Sequence, residues 1–286
     1  MLCGNTAKGE IMDYKNRKNQ DELIKFKDEI LSKINTTLID EINGDNQSYK
    51  RSALICYWLK DYNYYLNFEK TFTPQKMKKY KRGDIIKVNF GFNVGSEHGG
   101  MHYAIILDCN NSRNSGVITV IPLISKDDEK EVFPTDVDLG NEIHSKMKIK
   151  FDTLNTSINN ELKTATEMLD VIKTMESSLP SDFAIDEGLL NDENNKAIGD
   201  YIKETQKLNN KVKELQKANK IFKKMSKEIG RMKTGSIAVV DQITTISKMR
   251  IFDPKTSYDV LSGIRLGDKE LDLIDEMVKK LFIKNK

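Results

Sequence analysis

Two of the three histidines in this 286-residue chain, His98 and His102, stand four residues apart, in and just after a glycine-rich stretch from Gly91 to Gly100. An imidazole changes charge near neutral pH, so it is the side chain most often used to take up or release a proton in a reaction. Glu97 shares the stretch and is placed either to orient His102 or to act as a partner base, while Ser96 adds a hydroxyl donor. The glycines have two compatible readings: positive φ in a tight turn, or a backbone left open for a ligand. Two histidines without further clustered ligands do not make a metal site, so no metal and no cofactor are expected. No P-loop, no GxGxxG after a strand, no HExxH and no GxSxG is present, and the chemistries those motifs support are set aside.

The elements that must hold this stretch read as short strands. Asp84 to Phe90 precedes it, and Tyr103 to Leu107 and Val117 to Leu123 follow, split by the turn-rich segment Asn110 to Ser115. A further short strand is expected near Val132 to Val137. Strand character returns at Ser236 to Gln242 and at Thr244 to Ile246, and an amphipathic helix starts near Asp268, a candidate N-cap. Between the two β regions the period becomes helical. Met147, Phe151, Leu154, Ile158, Ala165, Leu169 and Ile172 mark one stripe. After a break holding Pro180 and Gly188, Tyr201, Leu208, Leu215, Phe222 and Ile229 repeat every seven residues, with Ile198, Thr205 and Val212 at the partner positions. That is a coiled-coil pattern, and neither helix is apolar enough to stand alone, so an antiparallel hairpin is expected. Neither β region has enough strands to close a core by itself, so together they form one domain that the hairpin interrupts.

Two further helices are expected at the N-terminal side. One spans residues 18–43, with Leu23, Phe26, Ile30, Ile34 and Leu38 in register; the other runs from about Tyr49 to Glu69 and carries an aromatic stripe that includes Trp58, Tyr62 and Tyr65. Such a stripe serves as core, as a protein interface, or as a stacking platform for bases. The basic run Lys76 to Arg82 reads as a solvated linker or a phosphate contact. The expected organisation is a disordered 1–17, a helical region 18–80, a barrel made of 81–138 and 234–286, and the inserted hairpin 139–233.

A formal net charge of only +3 excludes a polybasic nucleic-acid coat, so any RNA contact must come from local clustering. Three cysteines, an odd number with no CxxC spacing, argue against a disulfide framework and for a reducing cytoplasm. No apolar run nears the roughly 18 residues that a membrane-spanning helix needs, and the first residues contain no apolar core of a signal peptide.

Four segments carry a family resemblance. Arg82-Gly83-Asp84-Ile85-Ile86-Lys87-Val88-Asn89-Phe90-Gly91 resembles the opening strand of the MazF/PemK toxins. Gly95-Ser96-Glu97-His98-Gly99-Gly100-Met101-His102 is similar to that family's GSExxGxR loop, and Ile118 to Ser125 to the strand that ends in P-x-T-[ST]. Ala238 to Ile246 resembles the DQxRTI strand, and the C-terminal helix falls where the family has one. The resemblance implies an α+β fold: a small SH3-like barrel, here interrupted by the helical hairpin, acting as a homodimer. It also implies metal-independent endoribonuclease cleavage of single-stranded RNA.

Within that resemblance His102 stands at the family's arginine position and Ile124 at its threonine position. The catalytic set it implies here is His102, Glu97, Ser125 and Asp241, the last matching an acidic residue that some PemK-type members use. RNA contacts are expected from Ser96, His98, Gly99, Gly100, Arg82, Lys87 and Gln242. Ser125 can replace the missing threonine hydroxyl only where the strand end bends, because adjacent strand residues face opposite sides. The implied setting is toxin–antitoxin or phage defence, with an antitoxin or a phage-derived protein as partner. The alternative is a catalytically degenerate barrel that binds RNA or a protein. The helices outside the resemblance are expected to offer a partner surface or to cover the groove.

Overall fold

The computed structural model describes residues 13, 15–126, 132–178 and 192–284. The expected disordered 1–17 lies largely outside the described residues, as does the expected break at Pro180 and Gly188. The chain divides into two compact units, 1–71 and 72–286.

The first unit pairs α1 (Gln20–Ile42) with α2 (Asn46–Phe68). α2 begins three residues earlier than the apolar pattern suggests. Asp45 caps it, its carboxylate accepting the Ser48 amide at 2.7 Å, and those backbone and side-chain hydrogen bonds from Ser48 hold the Asp45 carboxyl below its ordinary range. The aromatic stripe clusters along the helix, with Tyr64 stacked on Phe68 at 5.5 Å and Trp58 near Tyr62 and Tyr65. It does not form a core inside this unit, where Ser52 is the buried residue and Leu23, Phe26, Tyr57 and Tyr64 are exposed.

The second unit is α+β. Among its described residues lie seven strands: β1 (Ile85–Asn89), β2 (Met101–Ile106), β3 (Val117–Lys126), β4 (Asp136–Asp138), β5 (Gly235–Val239), β6 (Thr244–Ser247) and β7 (Ile251–Asp253). Every strand pairing is antiparallel. The long β3 does most of the joining. Its first half pairs with β6, its middle with β2, and its second half with β5, which pairs in turn with β4. β1 lies between β2 and β7, and the single 3-10 turn Lys248–Arg250 joins β6 to β7, closing the barrel.

The strands read as unbroken apolar runs because both of their faces are covered. Ile86, Val88, Phe90, Ala104 and Ile106 pack with Met77, Tyr80, Ile118 and Ile251 on one side. Ile85, Ile105, Ile121 and Leu123 pack on the other against Ile143, Met147, Met225 and the C-terminal Leu271 and Ile274. The run Lys76 to Arg82 is therefore not a solvated linker. Its apolar members Met77 and Tyr80 are core, the Tyr80 hydroxyl donates to the Pro254 carbonyl at 2.7 Å, and Lys78 pairs with the buried Asp84 carboxylate at 3.2 Å.

α3 (Glu142–Ser178) and α4 (Asp192–Ile229) leave and re-enter between two neighbouring strands, β4 and β5. The point of departure is stitched shut: Leu139 N–H donates to the Ser236 carbonyl at 3.0 Å and Ser236 N–H to Gly140 at 2.9 Å. The helices pair along their stripes, with Phe151 stacked on Phe222 at 4.5 Å. The α4 repeat Tyr201, Leu208, Leu215, Phe222 and Ile229 is half-buried as expected, but Val212 is 40% exposed and Lys211 occupies the seam beside it. On α3, Met168 faces the seam and Leu169 is exposed. The inward positions there run Lys211, Ala218 and Met225, and the fully buried Met225 packs in the barrel core, so Val212 turns outward while Lys211 pairs with Glu161 across the hairpin.

The hairpin root is tied to the barrel. The Lys150 ammonium donates to the carbonyls of Val260 at 2.8 Å and Ser262 at 2.6 Å, and Lys146 to that of Arg265 at 2.7 Å. α5 (Asp268–Phe282) closes the chain; Gly267 takes the cap position and Asp268 is the first helical residue, with no side-chain cap bond. No helix among the described residues is long and apolar enough to cross a membrane.

Candidate functional site

The glycine stretch is a loop between β1 and β2, pinched at its base. Phe90 N–H donates to the Gly100 carbonyl at 2.8 Å and Gly100 N–H to Gly91 at 2.7 Å. Gly100 has φ +86°, where an L side chain is strained, and a Cβ on Gly99 would sit 3.0 Å from the Gly91 carbonyl. These two glycines are therefore required by the backbone path that delivers His102 to the second position of β2.

Within the loop most polar groups hold the loop itself. Glu97 accepts the Val94 amide at 3.3 Å, closing a turn. Asn93 donates to the His98 carbonyl at 2.7 Å. Gln242 accepts the His98 amide at 2.6 Å and donates to the Ser96 carbonyl at 3.2 Å, clamping the loop to the 3-10 turn Val240–Gln242. The strand expected to run through Gln242 ends at Val239 for this reason: the turn swings the Gln242 amide onto the loop while Val240 stays in the core.

The two imidazoles meet, with ring centroids 4.3 Å apart at 65°. His98 also lies edge-on to Phe90 at 5.2 Å. Burial, and next the neighbouring His102, push the His98 pKa down to about 4, so at neutral pH this ring is uncharged. Its Nε2 is buried without a hydrogen-bond partner among the described residues.

The pair stands where cavities adjoin. His102 lines one of about 240 Å³ together with Lys87, Tyr103, Ser125, Glu228 and Arg231. His98 lines a second, of about 570 Å³, with Ser96, Glu97, Asp241, Gln242 and Arg250. It also lines a third, of about 530 Å³, in which Ile124 and Asp241 face the segment Phe133 to Asp136.

The expected site residues are thus divided. His102, Ser125 and Lys87 share the first cavity; Glu97, Ser96, His98, Asp241 and Gln242 gather around the second. Asp241 accepts the Thr135 hydroxyl at 3.1 Å, and its charge adds to the burial that raises the Asp136 pKa. Arg82 lines none of these three cavities: its guanidinium bonds the Leu107 carbonyl and the Asp275 carboxylate and holds α5 to the barrel. Ser125 is exposed and pairs across the ladder with Ser236.

Beside the expected Lys87, the first cavity contains groups that sequence reasoning missed: Tyr103, Glu228, Arg231 and Lys233. Lys87 and Tyr103 are cross-strand partners, with the ammonium 5.4 Å from the ring centre. Both bond the same oxygen of Glu228, on the last turn of α4: Lys87 as an ion pair, the Tyr103 hydroxyl at 2.5 Å. Burial opposes the Glu228 charge, but these two hydrogen bonds outweigh it and lower its pKa; burial and the Glu228 contact raise that of Tyr103. Arg231 and Lys233 follow on the chain leaving α4 and line the same cavity. The one sequence signal for them was position: they lie between the last seam residue, Ile229, and the strand that pairs with β3.

Residues 81–174 match the family model described as PemK-like, MazF-like toxin of type II toxin-antitoxin system. That span holds β1 to β4, the loop, both histidines and most of α3, and leaves Glu228, Arg231, Asp241 and Gln242 outside. No curated protein matches the chain. The strands β5, β6 and β7 complete the same barrel by pairing with β3 and β1. The chain therefore carries a PemK-like, MazF-like toxin region over roughly a third of its length, with further helical regions around it.

Proposed function

We propose that the chain is a toxin-type endoribonuclease that cuts single-stranded RNA without a metal ion, in a toxin–antitoxin or phage-defence setting. The observation that carries this reading is the imidazole pair His98–His102, whose His102 lines a cavity together with Lys87, Arg231 and Lys233. In the proposed reaction His102 accepts the proton of a 2′-OH as its oxygen attacks the adjacent phosphorus. The P–O5′ bond breaks, and the imidazolium returns the proton to the leaving 5′ oxygen. The products are a 2′,3′-cyclic phosphate and a 5′-OH. His98, neutral at this pH, packs against the His102 ring and orients it. The cations of the cavity oppose the charge that gathers on the phosphorane. Ser125 is a hydroxyl donor in the same cavity, while Glu97 and Gln242 fix the loop that supports the imidazoles. The reading includes a homodimer and a protein antitoxin, as is general for toxins of this family.

The test is a long single-stranded RNA incubated in EDTA with the wild type and with His102→Ala, followed by mapping of the new ends. Discrete cuts ending in 2′,3′-cyclic phosphate, lost in the variant, are expected. Undiminished cutting by His102→Ala would remove His102 from the mechanism.

A second reading, an RNA- or protein-binding barrel without catalysis, is favoured by one feature. Ile124 stands where the resemblance calls for a threonine hydroxyl, and it lines the cavities on both sides of the imidazole pair. RNA bound by the wild type but left intact would decide for it.

A further inference from the structure

The hairpin's returning helix, α4, ends at the cavity that His102 lines, and what it brings there is charge. We infer that the chain leaving α4 is part of the RNA site, with Arg231 and Lys233 gripping an RNA phosphate opposite Lys87 and Glu228 positioning that segment. The inference rests on the ribonuclease reading for the identity of the ligand, but not for the existence of the grip.

Three observations carry it. First, among the described residues the cavity is lined by Lys87, Arg231 and Lys233 and by one carboxylate, Glu228. That carboxylate is already engaged: one of its oxygens takes both the Lys87 ammonium and the Tyr103 hydroxyl. Arg231, exposed on the chain just past α4, lines the same space, which is large enough for a phosphate group. Second, the segment is held in place and not loosely draped. Glu228 is bonded to two different strands, Met225 one turn earlier is fully buried, and Ser236 just beyond is stitched to Gly140. Gly230 and Met232 amides close the helix end onto Ser226 and Glu228. Arg231 and Lys233 thus project from a fixed turn, which lowers the cost of ordering them on a ligand. Third, the cavity adjoins the imidazole pair, so a phosphate seated there lies beside the group that moves the proton.

Basic residues also settle at helix C-termini because they offset the helix dipole, and the experiment must separate that role from RNA binding. The probe is a mixed-sequence 2′-O-methyl oligonucleotide, which cannot be cut because the attacking hydroxyl is blocked. Its affinity for the full chain is read by fluorescence anisotropy over a range of salt concentrations. Arg231→Ala is expected to weaken binding about tenfold. The slope of log K against log salt should become shallower by about 0.7, the value of one phosphate contact on a single strand. Arg231→Lys should restore most of the slope, and Lys233→Ala should lower it by a similar amount. Lys224→Ala, on an exposed face of the same helix, should leave both quantities unchanged.

An unchanged affinity and slope in Arg231→Ala and Lys233→Ala would overturn the inference, as would an equal loss in Lys224→Ala, which would mean diffuse charge. Lower thermal stability in Arg231→Ala with binding intact would assign the cations to the helix end and also overturn it. Cleavage by the wild type with Arg231-independent binding would leave the ribonuclease reading standing without this grip. Arg231-dependent binding by a wild type that does not cut would do the reverse.

Discussion

His98 is expected to remain unprotonated far into the acid range, and this can be tested without knowing the substrate. Its ordinary pKa of 6.5 falls to about 4 in the folded chain, first through burial against Phe90 and the loop, then through repulsion by His102. That difference corresponds to about 3 kcal/mol for a fully buried ring, and to roughly half of that where solvent screens it in part. The folded pKa is depressed, so between pH 6.5 and about 4 the unfolded chain binds the proton more readily than the folded one. The stability tied to neutral His98 is therefore fully present above pH 6.5 and is lost as pH falls through about 4. The chain has three histidines, so three imidazole signals in a proton NMR titration report the whole set. One of them, identified by its absence in His98→Gln, should still be moving below pH 5. In denaturant unfolding, the stability difference between wild type and His98→Gln should shrink or reverse by roughly 1.5–3 kcal/mol from pH 7.5 to pH 4. Replacing His102 with Gln removes only the second cause, so most of the depression should survive. Three imidazoles that all titrate near 6.5, or a stability difference that does not change with pH, would refute the reasoning and with it the role of His98 as a neutral support.

Lys150→Met keeps the length of the side chain but removes the donor shared by the Val260 and Ser262 carbonyls; a loss of about 2–4 kcal/mol is expected by denaturant unfolding. Gly100→Ala forces an L residue to φ +86° at the loop base, which should cost about 1–2 kcal/mol in the same assay and slow cleavage by displacing His102. In the hairpin seam, Glu161→Lys and Lys211→Glu should each destabilise, while the double exchange should recover about 0.5–1 kcal/mol in a thermal-melt cycle. Simple additivity there would mean that the two side chains do not interact across the hairpin.

The parts of this protein that could be read from its sequence are those fixed by local pattern. β1, β2 and β3 announced themselves as apolar runs because both faces are buried, and the hairpin did so through the seven-residue repeat ending at Phe222 and Ile229. The histidine pair was visible because two of three histidines stand four residues apart, in and just after one glycine-rich stretch. What was hidden depended on contacts between distant residues. Val212 and Leu169 look like seam residues, but the neighbouring Lys211 and Met168 take the inward positions. Arg82 looks free for RNA until Asp275, at the other end of the chain, takes its guanidinium. Glu228 reads as one more charge in a lysine-rich helix until Lys87 and Tyr103, more than a hundred positions earlier, converge on it.

The place of the insertion explains why so long a hairpin leaves the barrel intact and why its root reaches the site. β4 and β5 are antiparallel neighbours whose facing ends need only a tight turn. Because Leu139 and Ser236 are already hydrogen-bonded, the helices can rise from that turn without changing a strand register. The closure cost of a long connection grows only slowly with its length, and here the paired helices bury a seam of their own in return. β5 also pairs with the half of β3 that ends at Ser125. A chain returning to start β5 must therefore pass beside Ser125, and the last residues before it, Glu228 to Lys233, are brought to the cavity by topology alone. Shortening both helices by whole heptads beyond Phe151 and Phe222 should thus leave the cavity residues in place. If oligonucleotide binding survives such shortening but is lost in Arg231→Ala, then it is the root of the hairpin, rather than its length, that serves the site.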